Sequence, residues 1–253
     1  MSRLYLTEPP DVRAEAATEL YRYDILTVSE IVHRAGTGQF DIPAFQRGFV
    51  WTDAQLLDLA ESLWRDYPIG MLLLWEPQIG KVRQTTLLVA DGQHRIISLS
   101  ALFGQKPHWF TGDRNGSHAQ MSIWFDPAAQ QPPRFFFGDD LQRAGGERRL
   151  VFLPRLLSLN IHTTEGQQTL RELANRIAGS GPPSTGAAER IYQRLAQARA
   201  IADRQVVAAV VRHPRDDVME IFARLSGHGI RFRRLLLRTA LKATRSLWDA
   251  SVK

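Results

Sequence analysis

The sequence predicts an α+β domain in which short buried strands are joined by amphipathic helices. Three observations carry that reading. Leu56, Leu59, Ala60 and Leu63 recur at helical spacing behind a capping signal. Apolar runs at 69–75 and 85–90 and a Val-rich run at 205–211 read as strands. The run Leu87-Leu88-Val89-Ala90-Asp91-Gly92-Gln93-His94-Arg95-Ile96-Ile97-Ser98-Leu99 passes from strand pattern through an abrupt polar turn into helical period.

In chain order, residues 1–24 are polar, contain Pro9-Pro10 and are expected to be loosely held. Residues 25–35 read as a short strand or turn and then a helix capped by Ser29, with Gly36-Thr37-Gly38 ending it. In residues 40–51, Pro43 argues against a central strand. Thr52-Asp53-Ala54-Gln55 is a capping box, with a hydroxyl at the cap and Gln three residues on, and the helix it starts stops near Tyr67-Pro68. The 69–75 run, bounded by Pro68 and Pro77, is a buried strand, and 85–90 is the strand that feeds the polar turn. Residues 104–119 are loop-like; they hold His108, Asn115 and His118, whose spacing is too short for a ββα-metal nuclease. Strands are expected at 121–125, 134–137 and 151–153, and helices at 165–178 and 188–202, with an exposed Gly/Pro/Ser linker at 179–187. The 205–211 strand precedes a helix that Asp216-Asp217 start, where acids suit the helix dipole. The tail reads as one more helix, with Arg231, Arg234, Arg238, Lys242 and Arg245 on one continuous basic face.

Composition narrows the function classes. The 253 residues carry a net charge of +6, which favours an anionic partner such as nucleic acid or nucleotide. There is no cysteine, so a disulfide framework and a zinc-thiolate site are excluded. Residues 1–20 lack an apolar signal region, and no run approaches the roughly 20 apolar residues that span a bilayer. A soluble, cytoplasmic protein is expected.

The polar turn concentrates chemistry. Asp91, Gln93, His94 and Arg95 offer a metal ligand, an amide, a titratable base and a permanent cation within five positions. At the start of a helix such a turn receives anions, because helix N-termini carry partial positive charge. Gly92 lets the backbone turn sharply and approach a ligand closely. The same Asp-Gly pair between apolar runs is also a hairpin signal. Upstream, Gln46 and Arg47 lie among Phe45, Phe49 and Trp51, where Arg47 is either a structural anchor or a phosphate clamp. No Walker A loop, Rossmann fingerprint, nucleophile elbow or kinase signature is present.

Ordered motifs add a resemblance. Ile42-Pro43-Ala44-Phe45-Gln46-Arg47-Gly48-Phe49-Val50-Trp51 resembles an IPxFQRxxVW signature. The run from Leu63 to Trp75, with Tyr67-Pro68-Ile69-Gly70, resembles YPIGxxLLW, and residues 91–95 resemble DGQ(Q/H)R. Residues 220–225, with Gly229, are similar to EIFxRLNxxG, although Ser226 stands where that segment has Asn. Their order and spacing resemble the N-terminal domain of GmrSD-type modification-dependent restriction endonucleases, over roughly residues 25–240.

The resemblance implies a ParB/sulfiredoxin-like fold at 25–160, a small mixed sheet with flanking helices, followed by a mainly helical C-terminal region at 161–253. It also implies a nucleotide-binding and hydrolysing module in phage or foreign-DNA defence. Full-length relatives carry an HNH-type nuclease domain, and no HNH pattern follows residue 225 here. The chain is therefore expected to work with a separately encoded nuclease, to be a remnant, or to have another use. For an NTP hydrolase, Asp91 would hold Mg²⁺, Arg95 and Arg47 would clamp phosphates, and Gln93 or His94 would orient or deprotonate water. Gln46 would fix the base, the ribose or Arg47. For a non-catalytic DNA-binding or adaptor module, the same arginines and the 231–245 face would contact the DNA backbone, with a modified base stacked beside Phe45 and Trp51. The first reading requires Arg47, Asp91 and Arg95 to share one cleft.

Overall fold

The computed structural model describes residues 19–43, 49–79, 82–83, 86–111, 122–138, 149–179 and 186–226. A five-stranded mixed sheet organises them. The strands are β1 (Tyr21–Thr27), β2 (Phe40–Asp41), β3 (Leu72–Trp75), β6 (Leu87–Asp91) and β10 (Gln205–Val211), in the spatial order β1-β10-β3-β6-β2. β1 runs antiparallel to β10, β10 parallel to β3, β3 antiparallel to β6, and β6 parallel to β2. β4 (Gln78–Ile79) and β5 (Val82–Arg83) form a short hairpin between β3 and β6. A second antiparallel sheet has the order β8-β7-β9, from β7 (Ile123–Phe125), β8 (Phe135–Phe137) and β9 (Val151–Phe152).

The central strands are apolar on both faces because both faces are covered. Leu72, Leu74, Val89, Val206, Ala208 and Val210 point into the main core. There they meet α1 (Val28–Gly36), α2 (Asp53–Trp64) and α3 (Gln93–Leu102) through Ile31, Leu56 and Leu99. α4 (Leu153–Leu157), α5 (Thr164–Gly179) and α6 (Ala187–Arg199) extend the same core through Leu156, Leu170 and Leu195. The alternate residues Leu73, Ala90, Ala209 and Val211 form a smaller cluster with Val218, Ile221 and Phe222 of α7 (Arg215–Ser226).

The structure departs from the sequence expectations in places with simple causes. β1 reaches back to Tyr21, inside the segment expected to be loosely held, because seven residues pair in register with β10. Its charged Arg22 and Asp24 hide the strand pattern. α1 is capped by Thr27, not Ser29: the Thr27 hydroxyl accepts from the Glu30 N–H, and the Glu30 carboxylate accepts from the Thr27 N–H. The expected 188–202 helix gives way after Arg199 to a 3₁₀ turn, Ala200–Asp203. The capping box at Thr52 and Gln55 forms as read. The Val-rich run of the C-terminal part lies inside the sheet, between β1 and β3.

Candidate functional site

The polar turn joins a strand to a helix and is not a hairpin. β6 ends at Asp91, Gly92 is the N-cap, and α3 begins at Gln93. Gly92 has φ 103°, in the left-handed region, and a methyl group there would run into Leu72 Cδ2. Both the conformation and the space require glycine. One step upstream the β3–β6 register slips: Leu74 faces Val89 but Leu73 faces Asp91, so Ala90 is an extra residue. A bulge of this kind re-aims the side chain beside it. No side chain caps α3 at Gly92. The Asp91 carboxylate therefore stands at a helix start where the dipole favours negative charge.

Asp91 and Arg95 meet. The Arg95 Nη2 donates to Asp91 Oδ2 at 3.1 Å, and Nη1 donates to the Ile69 carbonyl at 3.2 Å. The Arg95 side chain is 14% exposed and that of Asp91 43%. Burial lowers the proton affinity of the Arg95 guanidinium, with Asp91 opposing, yet an arginine remains charged. The guanidinium is held by two glycines. A Cβ on Gly70, at φ 86°, would come within 2.8 Å of Arg95 Nη1, and one on Gly92 within 3.4 Å of Nη2. Residues 69 and 70 thus form a backbone socket for Arg95, a relation that sequence reasoning missed. Its signal was Gly70 ahead of an apolar run, which marks a turn but not its tertiary partner.

The other motif residues point elsewhere. Gln93 is 4% exposed and faces the interior. The half-buried His94 ring stacks on Phe49 at 5.5 Å and on Trp51 at 6.0 Å, and Phe49 meets Phe110 edge-on at 5.8 Å. The end of the 42–51 motif therefore lies against the start of α3. Gln46 and Arg47, and the basic residues Arg231, Arg234, Arg238, Lys242 and Arg245, lie outside the described residues. So do Asn115 and His118; His108 faces the Phe40 carbonyl at 2.9 Å. Among the described residues no three His, Asp or Glu side chains converge as a metal site. No described helix is long and apolar enough to cross a membrane.

Two comparisons bear on this arrangement. The family profile described as "GmrSD restriction endonuclease, N-terminal domain" matches residues 28–234. The chain is also similar to the uncharacterized protein MJ0686 of Methanocaldococcus jannaschii, at 31% identity over 96 residues. That alignment covers 30% of this chain and 17% of the archaeal protein, so the chain matches under a fifth of that relative's length.

Proposed function

The chain belongs to the GmrSD restriction endonuclease N-terminal domain family, a module of restriction and phage defence, and on that premise we propose that it binds and hydrolyses a nucleoside triphosphate as the sensor of such a system. The observation that carries this reading is the pairing of Arg95 with Asp91 at the start of α3. A planar guanidinium held by a backbone carbonyl keeps its orientation and presents a fork to phosphate oxygens. An incoming phosphate would compete with Asp91 for Nη2 and release the carboxylate. Asp91 fits a hard cation such as Mg²⁺, which commonly uses one or two carboxylates and completes its shell with phosphate oxygens and water. When bound, Mg²⁺ would neutralise phosphate charge. His94, stacked on Phe49 and Trp51, points away from this pair and would hold the end of the 42–51 motif against α3.

A second reading has an observation in its favour. Both ends of the Arg95 fork already have protein acceptors, as in a structural ion pair. In that case the module contacts DNA without hydrolysis, and the basic residues Arg231, Arg234, Arg238, Lys242 and Arg245 supply the phosphate contacts.

The discriminating experiment is NTP turnover with Mg²⁺, in the absence of DNA and with plain or modified duplex. Wild type is expected to turn over. Arg95→Ala is expected to lose at least about a hundredfold while its circular dichroism melt retains a single transition. No turnover with any triphosphate, alongside salt-sensitive duplex binding, supports the second reading.

A further inference from the structure

Among the described residues, β1 is an edge strand whose outer face is bare. Tyr21 is 57% exposed, Tyr23 63% and Ile25 63%, and Val207, the β10 residue opposite Ile25, is 43% exposed. α7 covers this face of the sheet over β3, β6 and the end of β10, and among the described residues nothing covers it over β1.

Among the described residues, the β1 backbone groups that no other strand pairs lie on the same residues. The Arg212 N–H donates to the Leu20 carbonyl, and the Val28 N–H to the Arg204 carbonyl. Even-numbered residues of this strand therefore face β10. By antiparallel alternation, the N–H and C=O of Tyr21, Tyr23, Ile25 and Thr27 face the open edge. The Thr27 N–H agrees, since it turns away to the Glu30 carboxylate. Natural edges are usually blunted by proline, bulges or charge. Here the half-buried charges are Arg22 and Asp24, on the inner face.

Those charges are self-complementary. Of the symmetric antiparallel registers that keep the outward groups of two β1 strands opposed, three set one charged residue against another. A register centred on Arg22 places Arg22 against its copy, and one centred on Asp24 places Asp24 against its copy. A register centred on Tyr23 pairs Arg22 with Asp24 of the second copy twice. It also pairs Tyr21 with Ile25 twice, an aromatic on a β-branched side chain.

We propose that β1 is a homodimerisation edge, through which two copies of this chain join antiparallel about a two-fold axis at Tyr23. The contact is isologous and closes on itself. It makes one ten-stranded sheet, with the two Asp91 strands seven interstrand steps apart, roughly 34 Å before twist.

The test uses the full chain. Sedimentation equilibrium is expected to give a dimer, and Tyr23→Lys a folded monomer that still melts in a single transition. Because the chain has no cysteine, single-cysteine variants cross-link only between copies. Across the axis, Cα atoms at position 23 lie about 5.5 Å apart in this register. Those at position 21 are offset by four residues, about 14 Å. A short thiol cross-linker is expected to join Tyr23→Cys and to leave Tyr21→Cys and the exposed control Val50→Cys unjoined. A monomeric wild type, a dimer that survives Tyr23→Lys, or equal cross-linking at all three positions overturns the proposal. A monomer whose Tyr23→Cys thiol resists modification would instead mean that another segment of the chain covers this edge.

Discussion

At Arg95 a permanent charge sits largely out of water, and three backbone features hold it there. The Ile69 carbonyl accepts from one nitrogen, and the positive-φ glycines 70 and 92 leave room for the fork. The local half of this was legible. Strand pattern, Gly92 and helical period placed Asp91 and Arg95 one helical turn apart, the spacing at which such pairs meet. The Ile69–Gly70 socket was not legible, because a backbone carbonyl leaves no trace in residue type. Nor was the stacking of His94 on Phe49 and Trp51, which depends on residues 49–51 lying against the start of α3. Gly92→Ala must hold an alanine in the left-handed region and push aside Leu72. It is expected to cost more than about 1 kcal/mol in denaturant unfolding. A variant as stable as wild type would show that the turn relaxes freely.

Among the elements, those that begin with a local signal were the most readable. Thr52 and Gln55 exchange hydrogen bonds across three residues, so the sequence alone reveals the cap of α2. Thr52→Ala is expected to cost about 1 kcal/mol, read as a lower denaturation midpoint at unchanged slope. No change would mean that packing alone sets the start of α2. The cap of α1 was misplaced by two residues because Thr27 and Ser29 both carry hydroxyls. Glu30, three residues after Thr27, decides between them. β1 was underestimated for a different reason. Three of its seven residues are exposed and the rest include an ion pair, so it looks like a strand only once β10 is beside it.

For the molecule as a whole, the sheet order was beyond a sequence reading, since β10 reaches its place between β1 and β3 from far along the chain. Glu76 ties these three strands together. It accepts from Arg22 Nη1 at 2.6 Å and from Arg212 Nε at 3.1 Å, while its own N–H donates to the Val211 carbonyl. Burial works against the charged carboxyl, but the two arginines outweigh it and hold Glu76 below the usual carboxylate range. A lowered folded-state value gives stability that is present above the unfolded value and lost as pH falls through the folded one. Glu76→Gln leaves Arg212 without its carboxylate partner and Arg22 with Asp24 alone, and is expected to cost about 3 kcal/mol at neutral pH. The gap to wild type should close as pH drops below about 4. A gap independent of pH would assign the loss to packing. The central claim, that Arg95 of the α3 turn grips a triphosphate, is tested most directly by calorimetric titration of a non-hydrolysable triphosphate with Mg²⁺ into wild type and Arg95→Lys. Lysine keeps the charge but loses the fork. Saturable binding to wild type is expected, weakened at least about tenfold in Arg95→Lys, in line with a lost charge-assisted hydrogen bond. Equal affinity in the two proteins would contradict it.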